Sequence, residues 1–140
     1  MKGKTIQELK LGEKAFFQKT ITETDVYLYA GITGDLNPAH INEEYAKDTF
    51  FKSRIAHGML TAGLISAVLG MKLPGPGTIY MGQELKFTAP VRIGDTIKAE
   101  VEVTEMVTEK NRLKLRTTCT NQNGDIVLDG VATVMPPKEG

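Results

Sequence analysis

The side chains best suited to move a proton in this sequence lie between positions 35 and 57. Asp35 and His40 stand five residues apart in the stretch Asp-Leu-Asn-Pro-Ala-His. A carboxylate and an imidazole are common partners in general acid–base catalysis. Pro38 restrains Asn37 to an extended conformation, so the loop that holds the pair should have a fixed shape. In the alternative interpretation, Asp35 is only a turn or capping residue and His40 is structural.

A second candidate site begins at His57-Gly58. From there to Met71 the sequence contains no Lys, Arg, Asp or Glu, which predicts an apolar helix of 57–71. The first N–H groups of a helix have no internal partner, and the helix dipole favours negative charge beside them. Gly58 would let a ligand approach this backbone closely, which suggests an oxyanion-type site. Alternatively, Gly58 only permits tight packing.

Two hydroxyl residues and one possible set of metal ligands also lie in this region. Thr61 and Ser66 are the hydroxyl residues of the helix, and we interpret Thr61 as bonding back to its own helix. Asp35, His40 and His57 could form a set of two histidines and one carboxylate for a metal. Their spacing matches no standard ligand motif, so we predict no metal.

Composition excludes several classes of partner and location. The chain of 140 residues suggests a single domain over 1–140, and its 17 basic and 17 acidic residues cancel. Without a long basic run, neither nucleic acid nor an anionic membrane is expected as a partner. The apolar run is short for a membrane span, and the N-terminus does not resemble a secretory signal. A lone cysteine, Cys119, fits the reducing cytoplasm and is interpreted as packing material.

Hydrophobic periodicity predicts an α+β fold with one central helix. The predicted strands and helices are a strand at 15–21, helices at 26–32, 43–48 and 57–71, and strands within 78–90, 96–107, 113–120 and 126–135. Thr22 and Asp25 form a capping-box-like pair at the start of the first helix. A helix that is apolar on nearly every face should be buried on nearly every side. The alternating strands have one apolar face to cover, so a curved antiparallel sheet should wrap around this helix.

The two candidate sites together resemble a known family. Gly34-Asp35-Leu-Asn37-Pro38-Ala-His40 followed by His57-Gly58-Met59-Leu60 is similar to the MaoC-like hydratases, specifically the short (R)-specific enoyl-CoA hydratases. The similarity extends through Leu-Pro-Gly-Pro-Gly, the strand that begins at Gln83, and Gly94-Asp95, and covers most of the chain. It implies the hot-dog fold, a curved antiparallel sheet around one long central helix.

The resemblance also implies an activity and a set of site residues. The activity would be reversible addition of water to trans-2-enoyl-CoA, with coenzyme A thioesters as substrates and no separate cofactor. Asp35 and His40 would be the catalytic pair, and the Gly58 amide would hold the thioester carbonyl. We also expect five substrate-binding residues: Asn37, His57, Ser66, Leu69 and Val134. We assign His57 to positioning the loop and the helix start rather than to proton transfer. Ser66 and Leu69 are three residues apart, so they should share one helix face, which would line an acyl tunnel with Leu69 as its floor. Leu69 and Val134 are of medium size, which favours short acyl chains such as crotonyl. A homodimer joined at its sheet edges, or a higher oligomer of such dimers, is expected.

Two other functions compete with hydration. Hot-dog thioesterases and acyl-carrier-protein dehydratases place an acidic residue on the central helix, and this helix has none. A non-catalytic acyl-CoA binding module would not need the Asp35/His40 pair. Storage-polyester monomer supply, butyrate-type fermentation and fatty-acid metabolism all remain open as pathways.

Overall fold

The computed structural model describes residues 1–139 and contains one antiparallel sheet of five strands in the order β1-β3-β4-β5-β2. The strands are β1 (Lys14–Thr20), β2 (Ile79–Phe87), β3 (Thr96–Val107), β4 (Arg112–Thr120) and β5 (Ile126–Met135). The helices are α1 (Glu23–Thr33), α2 (Pro38–Ile41), α3 (Glu43–Ala46) and α4 (Gly58–Met71), with 3₁₀ turns at Ile6–Glu8 and Thr108–Lys110. None of the helices described in residues 1–139 is long and apolar enough to cross a membrane.

The sheet wraps around α4, which contacts every one of the five strands. The α+β hot-dog fold is therefore confirmed.

The inner face of the sheet carries the alternating apolar side chains that the sequence predicted. Residues of β3 and β4 fill it: Ile97, Ala99, Val101, Val103, Leu113, Leu115 and Cys119. Burial raises the pKa of the Cys119 thiol to about 12, so this side chain stays neutral in the core. Its interpretation as packing material agrees with this position.

One side of α4 is not covered by its own chain, so the expectation of burial on nearly every side is wrong for a single subunit. Gly63 and Ser66 are exposed along this side, and Met59 and Met71 near the helix ends are also exposed. The helix is apolar all round, but the sheet covers only the side that carries Leu64, Ile65, Val68 and Leu69. The absence of charged residues in α4 therefore does not indicate how many of its sides are covered within one chain.

Residues 22–56 leave the sheet between β1 and α4, and we call them the covering segment. Its first helix, α1, begins with the predicted capping box, in which Thr22 Oγ1 accepts from the Asp25 amide at 3.1 Å. The helix ends at Gly34, which adopts the left-handed conformation with φ 83°. Val26 and Ala30 are its buried residues, whereas Ile32 is 82% exposed.

Candidate active site

The covering segment brings Asp35 and His40 against His57, the residue before α4. The side-chain oxygen or nitrogen atoms of these three residues all lie within 4.8 Å of one another. His57 is 22 positions from Asp35, so only the turn after α1 and the return of the chain to α4 can assemble the group. The structure thus places the two candidate sites of the sequence at one location.

Asp35 follows the C-terminal glycine of α1 and points an exposed carboxylate towards this location. Its Oδ1 accepts a hydrogen bond from the Asn37 amide at 3.3 Å. Asn37 in turn caps α2, because its side-chain oxygen accepts from the Ala39 amide at 3.1 Å. Asn37 is outside the residues that line the cavity described below, and its substrate-binding role stays a prediction.

His40 lies in the short helix α2, although the sequence placed it in a loop. Pro38 occupies the first turn of α2, where a missing N–H costs no hydrogen bond, and this explains the helix. The His40 Nδ1 atom lies 2.7 Å from the Ile55 carbonyl oxygen. A carbonyl can only accept, so Nδ1 must carry the proton and donate. In the neutral ring, Nε2 then has the free lone pair.

His57 is 2% exposed and is held by three contacts. Its Nε2 donates to the Asp35 backbone oxygen at 2.9 Å, since that oxygen can only accept. Its ring stacks on His40 with centroids 3.8 Å apart and an interplanar angle of 29°, and Tyr29 packs on it at 4.7 Å. This agrees with our interpretation of His57 as a residue that positions the Asp35 loop; a direct contact with substrate stays a prediction.

Arg54 anchors the connector that supplies the Ile55 carbonyl. The guanidinium donates to Glu23 Oε1 at 2.8 Å and to the Tyr27 hydroxyl at 2.9 Å, and both acceptors lie on α1. Its backbone N–H donates to Glu43 of α3 at 3.1 Å. The hydrogen bond from Arg54, followed by that from Tyr27, lowers the pKa of Glu23, so Glu23 remains a carboxylate partner. The connector that carries the Ile55 carbonyl, the hydrogen-bond acceptor of His40, is therefore anchored to α1 and α3.

The three residues border an apolar cavity of about 460 Å³. Its lining includes Asp35, His40, Phe50, Phe51, Ile55, Ala56, His57, Gly58, Met59, Thr61, Phe87, Thr88, Ala89, Pro90, Val91, Val127 and Leu128. The N-terminus of α4 opens onto it, and His57 makes no side-chain cap there. Phe87 lies over Gly58 so closely that a Cβ at position 58 would come within 2.6 Å of its ring. Position 58 therefore has no room for a larger residue unless Phe87 moves.

The three residues of this group lie close enough together to be considered as metal ligands. One nitrogen of each histidine is engaged with a backbone oxygen, which leaves His40 Nε2 and His57 Nδ1 as the remaining ligand atoms of the stacked rings. The expectation that no metal binds here stays a prediction.

Three residues expected to shape the acyl pocket do not line this cavity. Leu69 and Val134 are fully buried in the hydrophobic core, away from the lining of this cavity, and their expected role in shaping the acyl pocket stays a prediction. Ser66 is exposed on the uncovered side of α4 and does not share a face with Leu69. Residues three apart are neighbours on a helix surface. On α4, however, the edge of the covered side runs between Ser66 and Leu69, so only Leu69 is buried.

Several groups in or beside the cavity were missed in the sequence analysis. Tyr29 and Phe87 give no local signal, because an aromatic residue in a helix or strand is equally expected in the core. Thr61 was interpreted as bonding back to its own helix, but its buried Oγ1 has no hydrogen-bond partner in the protein. The Ile55 carbonyl is a backbone group, so no residue type could have indicated it.

A curved sheet around a central helix, with an acidic residue and a histidine at the N-terminal end of that helix, defines a hot-dog enzyme of the dehydratase class. The chain belongs to the MaoC-like family: the family model described as "MaoC like domain" matches residues 8–124.

Proteins similar to this chain have consistent names. An (R)-specific enoyl-CoA hydratase of Rhodospirillum rubrum is 59% identical over 134 residues, which cover 96% of this chain and 92% of the relative. A 3-hydroxybutyryl-CoA dehydratase of Methylorubrum extorquens is 50% identical over 133 residues, which cover 95% of this chain and 84% of the relative. The solved structure of unliganded R-hydratase PhaJ1 from Pseudomonas aeruginosa has a TM-score of 0.93 at 48% identity, covering 99% of this chain and 88% of that one.

Proposed function

We propose that this chain is a hydro-lyase that adds water reversibly to trans-2-enoyl-CoA and forms the (R)-3-hydroxyacyl-CoA. The observation that carries the proposal is the joint position of Asp35, His40 and the α4 N-terminus at one apolar cavity. The names of the similar proteins support the same reaction and include a dehydratase of 3-hydroxybutyryl-CoA. Short-chain substrates such as crotonyl-CoA are therefore the first to test.

In the proposed mechanism, the α4 N-terminus polarises the thioester carbonyl. The Gly58 N–H donates to the carbonyl oxygen, and the helix dipole stabilises the enolate that forms as C3 is attacked. Polarisation also makes C3 electrophilic. Because Phe87 covers Gly58 on one side, the carbonyl must approach from the open part of the cavity.

The Asp35/His40 pair handles the proton. A water that donates to the Asp35 carboxylate and to the free Nε2 of His40 is held with its own lone pair directed at C3. Asp35 takes the proton as the water oxygen bonds to C3, and the conjugate acid of the pair returns a proton to C2 on the same face. Dehydration runs through the same transition state in reverse. The two groups act as a unit, so the proton belongs to the pair rather than to one residue.

The decisive experiment follows loss of the enoyl thioester absorbance when purified protein is mixed with crotonyl-CoA or octenoyl-CoA. Hydration should remove the absorbance without releasing free CoA thiol. Prompt thiol release would support the competing thioesterase function instead. The Asp35→Asn variant, purified identically, controls for a contaminating hydratase.

The configuration of the product is tested separately. Coupling the reaction to an (S)-specific 3-hydroxyacyl-CoA dehydrogenase should give no prompt NADH, whereas an (R)-specific reductase partner should consume the product. A stoichiometric NADH signal from the (S)-specific enzyme would overturn the assignment of the (R) product.

We also propose a cytoplasmic homodimer joined through β2. This strand forms one edge of the sheet and exposes Ile79, Met81 and Phe87. An apolar edge strand presents unpaired backbone groups that a second copy could satisfy. Light scattering during gel filtration should give a mass of twice the 15.3 kDa chain, or of a multiple of that dimer. A monomer at micromolar concentration would contradict this proposal but would leave the activity test unaffected.

A further inference from the structure

Thr61 occupies an unusual position for a hydroxyl residue. It is 1% exposed and borders the same cavity as Asp35, His40 and Gly58. Its Oγ1 is buried and makes no hydrogen bond within residues 1–139. Removing a hydroxyl from water without giving it a partner is unfavourable, so a ligand that supplies the partner recovers that cost.

The helix geometry sets Thr61 beside the Gly58 amide. Residues three apart lie on one face of a helix, and side chains tilt towards the helix N-terminus. The Thr61 side chain therefore extends over the first turn of α4, where Gly58 opens the backbone to the cavity. A threonine hydroxyl in a helix ordinarily bonds the carbonyl four residues earlier, here His57, but that bond is absent.

We propose that Thr61 donates a second hydrogen bond to the thioester carbonyl oxygen, beside the Gly58 N–H. This rests on the proposed function, because it names the substrate atom at the same site. As negative charge develops on that oxygen, the Thr61 O–H and the Gly58 N–H share it. The threonine proton stays on its own oxygen throughout, so the step transfers no proton and leaves the roles of Asp35 and His40 unchanged.

A buried nitrogen beside the cavity, His57 Nδ1, also has no hydrogen-bond partner among the described residues, but it is less suited to the role. Because His57 Nε2 carries the proton that goes to the Asp35 oxygen, the neutral ring presents only a lone pair at Nδ1. A lone pair repels an enolate oxygen. The hydroxyl of Thr61 is free to donate.

The test compares Thr61→Val with Thr61→Ser. Valine keeps the branched shape and removes the hydroxyl, whereas serine keeps the hydroxyl and removes a methyl group. We expect Thr61→Val to lose about 10²-fold in kcat/KM on crotonyl-CoA, the scale of one lost oxyanion donor. Thr61→Ser should retain activity within about tenfold of the original chain. A loss below threefold in a folded Thr61→Val would overturn the proposal.

A spectroscopic measurement distinguishes a donor from a packing role. The carbonyl stretch of a ¹³C-labelled, unreactive acyl-CoA thioester bound to the protein should shift to lower frequency, and Thr61→Val should return part of that shift. Thr61→Ser should preserve it. Equal shifts in all three proteins would overturn the proposal even if Thr61→Val were less active.

The proposal and the hydratase function can fail separately. If the unaltered chain does not hydrate crotonyl-CoA or octenoyl-CoA, the proposed function fails whatever the Thr61 variants do. If it is active and Thr61→Val is equally active, only the role of Thr61 fails. Melting curves of both variants identify any loss that is due to unfolding.

Discussion

The His40 and His57 rings stack 3.8 Å apart, and each ring donates one N–H to a backbone oxygen. The stack fixes the plane of the His40 imidazole, and the bond to Ile55 fixes its rotation within that plane. The direction of Nε2 is therefore set before any substrate binds. Positioning of this kind removes orientational freedom that a catalytic group would otherwise lose in the transition state.

Replacing Asp35 by asparagine should abolish most of the activity and leave the fold intact. Asparagine keeps the size of the side chain and can still accept from the Asn37 amide, but it cannot take a proton. Removal of a general base typically costs about 10²–10⁴ in rate. The measurements are kcat on crotonyl-CoA and a melting curve. Near-normal kcat in folded protein would remove Asp35 from the mechanism.

The two histidines should differ in the severity of their substitution. His40→Gln removes the free Nε2 lone pair and should be nearly as inactive as Asp35→Asn. His57→Gln should be milder, since a glutamine amide can still donate to the Asp35 oxygen although the ring stack is lost. Activities of both variants on crotonyl-CoA decide the matter. An active His40→Gln beside an inactive His57→Gln would mean that the wrong histidine has been assigned.

Gly58→Ala should impair catalysis through Phe87. The added Cβ would lie 2.6 Å from the Phe87 ring, so the ring must move into the cavity or the helix must shift. We expect kcat to fall at least tenfold, on the scale of a disturbed oxyanion donor. Gly31→Ala on α1 is the matched control, because its Cβ would meet nothing within 4 Å. Equal kcat values for the two variants would contradict a role for the Gly58 backbone.

Leu69→Ala tests whether the acyl chain runs past this residue. Since Leu69 is buried in the core and does not line the cavity, truncation should lower the free energy of unfolding by about 2–5 kcal/mol. If the acyl chain runs past Leu69, the relative kcat/KM should also shift from crotonyl-CoA towards octenoyl-CoA. An unchanged chain-length preference in a folded Leu69→Ala variant would place the acyl chain elsewhere.

Cys119 should make the stability of the fold depend on pH in the alkaline range. Burial raises the pKa of its thiol from 9.0 to about 12, so between these values only the unfolded state releases the proton. The contribution of the thiol is complete below pH 9.0 and is lost as pH rises towards 12, by at most about 1.4 kcal/mol per pH unit.

Denaturant titrations at several alkaline pH values check this prediction, with Cys119→Ala as the control that lacks the thiol. The unaltered chain should lose stability faster with pH than the alanine variant does. At neutral pH, a thiol reagent should label the chain only after unfolding. Rapid labelling of folded protein would show that the thiol is accessible.

The sequence was most informative where the pattern is local. The alternation in 96–107 predicted β3 with its bounds and its buried face, and Thr22 with Asp25 predicted the start of α1. Asp35, His40 and Gly58 were found because their types and spacing indicate chemistry. Their contact across the covering segment depends on how the chain returns from α3 to α4, and no local pattern encodes that.

The remaining differences have the same origin. Ser66 and Leu69 were assigned to one face by spacing, but the edge of the sheet decided which of them is covered. The hydroxyl of Thr61 was expected to bond its own helix because that is the local choice. The His40 tautomer depends on the Ile55 carbonyl, which is 15 residues away. Because this carbonyl is a backbone group, no residue type in the sequence indicates it.

The end of the covering segment contacts the connection between β2 and β3 through backbone groups: the Ala56 amide donates to the Val91 oxygen at 2.7 Å, and Ile55 forms an isolated bridge with Arg92. The strands are held by their own ladders and core, so this segment can open while the sheet stays closed. Such opening separates Asp35 and His40 from His57. The free energy of opening the covering segment should therefore be smaller than that of global unfolding, so activity is lost before the sheet unfolds. Amides of α1–α3 should exchange with deuterium before those of β3 and β4.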